Sequence, residues 1–211
     1  MSTQMNPRHK IIHCAFLALL SVPPPVRAEG SPAVESTVLF NTGCARCHEG
    51  ECSGRMSFHL PREEADQHIR RHGGALPEAQ VRELYDLLRY MKEACAFRPL
   101  PLALVRDGAW GPETLELLRS PTEPTYFLPL GVLGAGSYNV WLQGLGPKAR
   151  PCIELIDADF DFIDVIELEP SEPGWGLRFR TERSTDVFLR LKAPGSAPLT
   201  RVEITADHQA P

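Results

Sequence analysis

The hydrophobic pattern changes character once along the chain. From Pro32 to about Phe97 apolar residues recur at helical spacing; from about Thr125 to His208 they come in short runs broken by proline and glycine. The clearest helix is predicted over residues 77–95. Val81, Leu84, Leu88, Met91 and Cys95 follow at steps of three and four and share a face, while Arg82, Glu83, Asp86 and Arg89 fall elsewhere. Pro77 suits the opening turn, where its missing N–H is not needed. A shorter helix is predicted over 33–41, ending at Gly43. In the second half, strands are predicted over 126–130, 137–143, 152–157, 160–168, 176–181, 186–191 and 200–205. Seven short strands separated by turn residues predict an antiparallel β-sandwich of jelly-roll type. The expected fold is α+β in two domains: a small all-α domain over 29–97, then the β-sandwich over 125–211. Between them 98–124 reads as a linker, marked by Pro99, Pro101, Pro112, Pro121 and Pro124.

The N-terminus has a different pattern again. Arg8 and Lys10 precede an apolar run over residues 11–22, and Val26-Arg27-Ala28 follows. The run is too short to span a bilayer, and small or apolar residues stand where a signal peptidase reads. A signal peptide over 1–28 is expected, cut after Ala28, with export to the periplasm and no transmembrane segment afterwards. Composition agrees with a folded globular protein, at 43% hydrophobic and 23% charged residues. Loss of residues 1–28 removes Arg8, Lys10 and Arg27 and no acid, which takes the net charge from −5 to −8. An acidic surface excludes a nucleic-acid binder, which needs a basic face.

The chemistry lies in the cysteines. Cys44-Ala45-Arg46-Cys47-His48 is a C-x-x-C-H sequence. Its two thiols can each form a thioether with one vinyl group of a haem, and the following histidine is then held under the iron. No second C-x-x-C completes a four-cysteine zinc site. No βαβ pattern surrounds the motif, as a thioredoxin-like dithiol would require. One covalently bound haem c is expected, with His48 as its proximal iron ligand.

On these residues, the segment from about Val34 to Cys95 resembles the class I cytochrome c family. Phe40 stands four residues before Cys44, as an aromatic does in that family's first helix, and Leu88-Arg89-Tyr90-Met91-Lys92 looks like the end of its last helix. The resemblance implies that Phe40 and Tyr90 cross near the haem edge and shield it. Ser36 stands where the family usually has a glycine. The resemblance also implies a methionine on the loop before the last helix, but residues 61–76 contain none. The candidates for the sixth ligand are Met56, His59, His68, His72 and Met91. Met91 belongs to an apolar helix face and reads as core. Met56 and His59 are nine and twelve residues from Cys47, a short tether around a haem edge. His68 and His72 are spaced i and i+4 and can share a helix face. His72, just before Gly73-Gly74 and the last helix, is favoured, with His68 and Met56 as alternatives. Bis-histidine ligation implies a lower potential than histidine–methionine.

Because the family packs its last helix near the haem segment, a Cys52–Cys95 disulfide is expected, leaving Cys152 as the odd thiol; Cys95–Cys152 is the competing pairing. In the β region, Asp157, Asp159 and Asp161 alternate and raise calcium, although Phe162 stands where a calcium loop has glycine. Trp110, Trp141 and Trp175 raise a sugar-binding face, with core packing the better reading. The function expected is a periplasmic one-electron carrier whose β domain docks a redox partner bearing a basic patch. The rivals are a gas sensor or peroxide-reactive enzyme with an open iron position, and a ligand- or glycan-binding module with an accessory haem.

Overall fold

The computed structural model describes residues 32–49, 61–100, 102, 108–146, 149, 151–171, 174–193 and 198–207. The expected signal segment, Cys52, Met56 and His59 lie outside them. Residues Pro32–Pro211 form one compact unit, and the described part is α+β: five α-helices and nine antiparallel strands.

The first helical stretch is continuous but not uniform. Helix α1 (Val34–Leu39) widens into a π-helical turn over Phe40–Cys44 and tightens again into α2 (Ala45–His48). Within it the buried Thr42 hydroxyl donates to the Val38 carbonyl at 2.8 Å. A π turn adds one residue to a helical circuit, and such turns are frequent at functional sites. Here it delivers Cys44.

Residues 62–73, expected as loop, form a helix, α3 (Arg62–Gly73). Only Ala65 and Ile69 are buried, so the segment lacks the broad apolar stripe by which helices are read. Its charges carry the signal instead: Glu63 and Glu64 lie in the first turn, and Arg70, Arg71 and His72 in the last, each complementing the helix dipole. Gly74 follows with φ 82° and ψ −153°, a conformation nearly closed to other residues. It turns the chain into α4 (Glu78–Ala94), which buries Val81, Leu84, Leu87, Leu88 and Met91. Met91 is thus core, as its periodicity predicts. Cys95 caps α4 in a left-handed conformation, its N–H donating to the Met91 carbonyl at 2.9 Å.

The proline-marked stretch carries more structure than a linker. Ala109–Trp110 is strand β1, and Pro112–Leu117 is helix α5 with its proline in the first turn. Trp110, Leu115 and Leu118 are buried. Two residues are too short a strand to read from alternation, and a proline that opens a helix resembles one that breaks it.

The remaining strands are β2 (Thr125–Leu133), β3 (Gly136–Gln143), β4 (Cys152–Asp157), β5 (Phe162–Glu167), β6 (Glu169–Ser171), β7 (Gly174–Thr181), β8 (Thr185–Lys192) and β9 (Arg201–Ala206). They form a five-stranded sheet in the order β1-β9-β3-β7-β6 and a four-stranded sheet in the order β2-β8-β4-β5. The expected strand over 160–168 begins only at Phe162. Phe160 sits in the preceding turn with φ 65°.

Side chains alternate across each sheet. Val140, Leu142, Leu177, Phe179 and Val202 of the five-stranded sheet join Leu128, Ile153, Leu155, Leu189 and Leu191 of the four-stranded sheet in one buried cluster. The opposite face of the four-stranded sheet is also covered. Cross-strand register puts Phe127, Arg190 and Glu154 in one row across β2, β8 and β4. Phe97, just beyond α4, packs against Phe127, Phe160 and Phe188 with ring centroids 5.5, 4.4 and 4.7 Å away. The molecule is therefore layered: helices, four-stranded sheet, core, five-stranded sheet.

Candidate functional site

The C-x-x-C-H residues occupy the junction of the π turn and α2. Ala45 is fully buried, Cys44 and His48 are partly buried, and Arg46 and Cys47 are exposed. Cys44 and Cys47 are free thiols. Burial, followed by the neighbouring Cys47, pushes the Cys44 pKa up to about 11. A redox dithiol needs the opposite, a thiol pulled down towards thiolate at neutral pH.

Helix α3 brings two more histidines to the motif. The His48 and His68 ring centroids are 6.0 Å apart with planes at 81°, and His68 and His72 are 4.6 Å apart. His68 is partly buried, and His72, nearer the helix end, is exposed. Burial, then His72, His48 and Arg71, hold the His68 pKa below the ordinary histidine range. That favours the neutral imidazole, the form that binds metals.

Phe40 is buried in the π turn, and Tyr90 lies on α4 with the Arg98 guanidinium 4.9 Å over its ring. Asn41 is buried three residues before Cys44, and among the described residues its Nδ2 has no acceptor. A buried amide donor left over is a place for a ligand's oxygen. Among the described residues no group of three or more His, Cys, Asp or Glu side chains gathers around a point that would hold a bare metal ion. A haem iron asks for at most two protein ligands, and Cys44, Cys47, His48 and His68 are the residues that would hold such a group.

The network that sequence reading missed lies behind the motif. Arg190 of β8, its side chain 3% exposed, donates through Nε to the Asn41 carbonyl at 2.8 Å. Its Nη1 donates to Glu154 at 2.6 Å, and its Nη2 pairs with Glu49. Arg46 donates to the other Glu154 oxygen at 2.6 Å. The signal available was a lone arginine within the apolar run Val187-Phe188-Leu189-Arg190-Leu191.

Cys95 is disulfide-bonded. Its partner lies outside the described residues, and Cys152 is free, so the competing Cys95–Cys152 bridge is not formed. At the aspartate cluster, Asp157 Oδ1 accepts from the Asp159 and Asp161 amides at 2.9 and 3.0 Å, and Oδ2 accepts from Arg183 at 2.9 Å. Arg183 also pairs with Asp159. The Arg183 guanidinium thus neutralises charge at two of the three carboxylates. Of the tryptophans, Trp110 and Trp175 are core and Trp141 is 39% exposed.

No described helix is long and apolar enough to cross a membrane. No family model matches the chain, and no curated protein does. Among solved structures, a family GH115 4-O-methyl-α-glucuronidase is similar at 14% identity and TM-score 0.34, over 67% of this chain and 24% of that one. An uncharacterised protein from Burkholderia cenocepacia is similar at 12% identity and TM-score 0.37, over 83% and 53% respectively. The chain spans about a quarter and about half of their lengths, and likeness at this level leaves the site's own chemistry as the guide to function.

Proposed function

We propose that the protein is an exported monohaem c-type cytochrome that carries single electrons. The observation that carries this reading is the Cys44–Cys47–His48 motif with a second imidazole, His68, 6.0 Å from His48. Cys44 and Cys47 would hold the haem by thioethers, His48 would be the proximal ligand, and His68 the distal one. The 6.0 Å separation is what moves the distal assignment from His72 to its neighbour one turn earlier. Bound haem supplies the one-electron iron couple. The chain holds it, excludes water with Phe40 and the α4 face, and sets its ligands. A six-coordinate iron leaves no open position, which separates this reading from a gas sensor or peroxidase. Periplasmic location follows from the expected signal peptide and from the compartment in which haem is attached.

The β region fits a jelly roll. With β6 set aside, the two sheets run 1-9-3-7 and 2-8-4-5, an interleaving that two Greek keys produce. The test is expression in a host with haem-attachment machinery. Haem should stay with the polypeptide through denaturing electrophoresis, and Cys44→Ser plus Cys47→Ser should release it. A wild-type chain that keeps no covalent haem would overturn the reading.

A further inference from the structure

We infer that Arg190 is a positioning residue for the haem-attachment segment, so that the β-sandwich builds the haem site rather than merely following it. This rests on the proposed cytochrome reading.

Period-two alternation sets the placement. On β8, Val187, Leu189 and Leu191 enter the sandwich core, so Phe188 and Arg190 emerge on the other face. There Phe188 meets Phe97. Arg190 takes hold of both flanks of the motif: the Asn41 carbonyl three residues before Cys44, and the Glu49 carboxylate immediately after His48. Glu154, beside Arg190 on β4, accepts from it and from Arg46 inside the motif. Two strands thus grip residues 41, 46 and 49 around the two cysteines and the histidine.

The donor geometry requires arginine. One planar guanidinium serves three acceptors through Nε, Nη1 and Nη2, and an ammonium on a flexible stem cannot reproduce that fork. The Asn41 carbonyl belongs to the π turn, where the backbone departs from the α-helical ladder and an external donor is useful. The four side chains also form an alternating row, Arg46, Glu154, Arg190 and Glu49, whose charges cancel. Loss of one member therefore leaves a net charge beside the iron's proximal ligand. Removing a positive charge favours the ferric state, and removing a negative one favours the ferrous state.

The experiment uses the full-length holoprotein, with Arg190→Gln, Arg190→Lys, Glu49→Gln and the double variant Arg190→Gln/Glu49→Gln. Amide exchange read by mass spectrometry should quicken about tenfold or more over residues 40–49 in Arg190→Gln and Arg190→Lys, with β3 and β7 unchanged. The midpoint potential should fall in Arg190→Gln, rise in Glu49→Gln, and lie between them in the double variant. Exchange that quickens equally across the chain would assign Arg190 to general stability and overturn the inference. So would wild-type protection of 40–49 with both potentials unmoved. If Arg190→Gln does not accumulate as folded protein, Glu154→Gln carries the same test, with a smaller rise in exchange over 40–49 and a higher potential. Absence of covalent haem from the wild type would defeat the cytochrome reading alone, because the exchange measurement still tests the grip on the segment.

Discussion

His68 and His72 differ by one helical turn and by what each reaches. His68 is partly buried and lies 6.0 Å from His48; His72 is exposed beside it. On the proposed reading, His68→Ala should turn a low-spin ferric spectrum high-spin and open the iron to carbon monoxide. His72→Ala should leave the spectrum low-spin. Electron paramagnetic resonance decides between them, and the reverse result would return the distal ligand to His72. Spacing alone puts both histidines on one face, and only the packing of α3 ranks them. The same holds at Asp157. Three alternating aspartates are visible in sequence, but the guanidinium that pairs with two of them, Asp157 and Asp159, comes from Arg183, 26 residues from Asp157. Millimolar calcium should therefore leave the melting temperature unchanged, as calorimetry can check. Asp157→Asn, which weakens that ion pair and its amide-bonded turn, should cost about 1–3 kcal/mol.

At the scale of elements, legibility follows pattern length. Helix α4 was readable because seventeen residues repeat one period with a proline before them. Strands β3, β4 and β7 to β9 were readable, to within two residues at each end, because alternation and turn residues coincide. What escaped was short or polar: β1 with two residues, α5 opened by a proline, and α3, whose apolar content is two buried side chains. The π turn was invisible, since its sequence, Phe-Asn-Thr-Gly-Cys, has no periodic content beyond that of a helix end. The α3–α4 reversal depends on Gly74, whose backbone lies where a Cβ is strained. Gly74→Ala should destabilise the protein by about 1–3 kcal/mol, read as a lower denaturant midpoint at unchanged slope.

At the scale of the molecule, the helices and the sandwich are not separable beads. Phe97 inserts into an aromatic set drawn from β2, β8 and the turn before β5. Arg190 adds a buried polar tie a few ångströms along the same sheet face. Phe97→Ala should cost about 3–5 kcal/mol. Far-ultraviolet dichroism and calorimetry should still report one coincident transition, because the layers share a face. Two separated transitions would show that they fold independently. The motif was visible in the sequence as five adjacent letters. The surface that holds it was not, because residues 154 and 190 are more than a hundred positions from the motif.

The two broad faces of the sandwich have unequal fates. One is roofed by the helices. The other, with Trp141 lying across Gly176 between Asn139, Arg178 and Glu203, is open to water. Facing sheets stand about 10 Å apart, and a helix layer adds roughly 8–10 Å. On the proposed reading, anything that seats on the Trp141 face would thus sit about 20 Å from His48, across the sandwich from the haem. In that case a neighbour on the open face would leave the haem side uncovered.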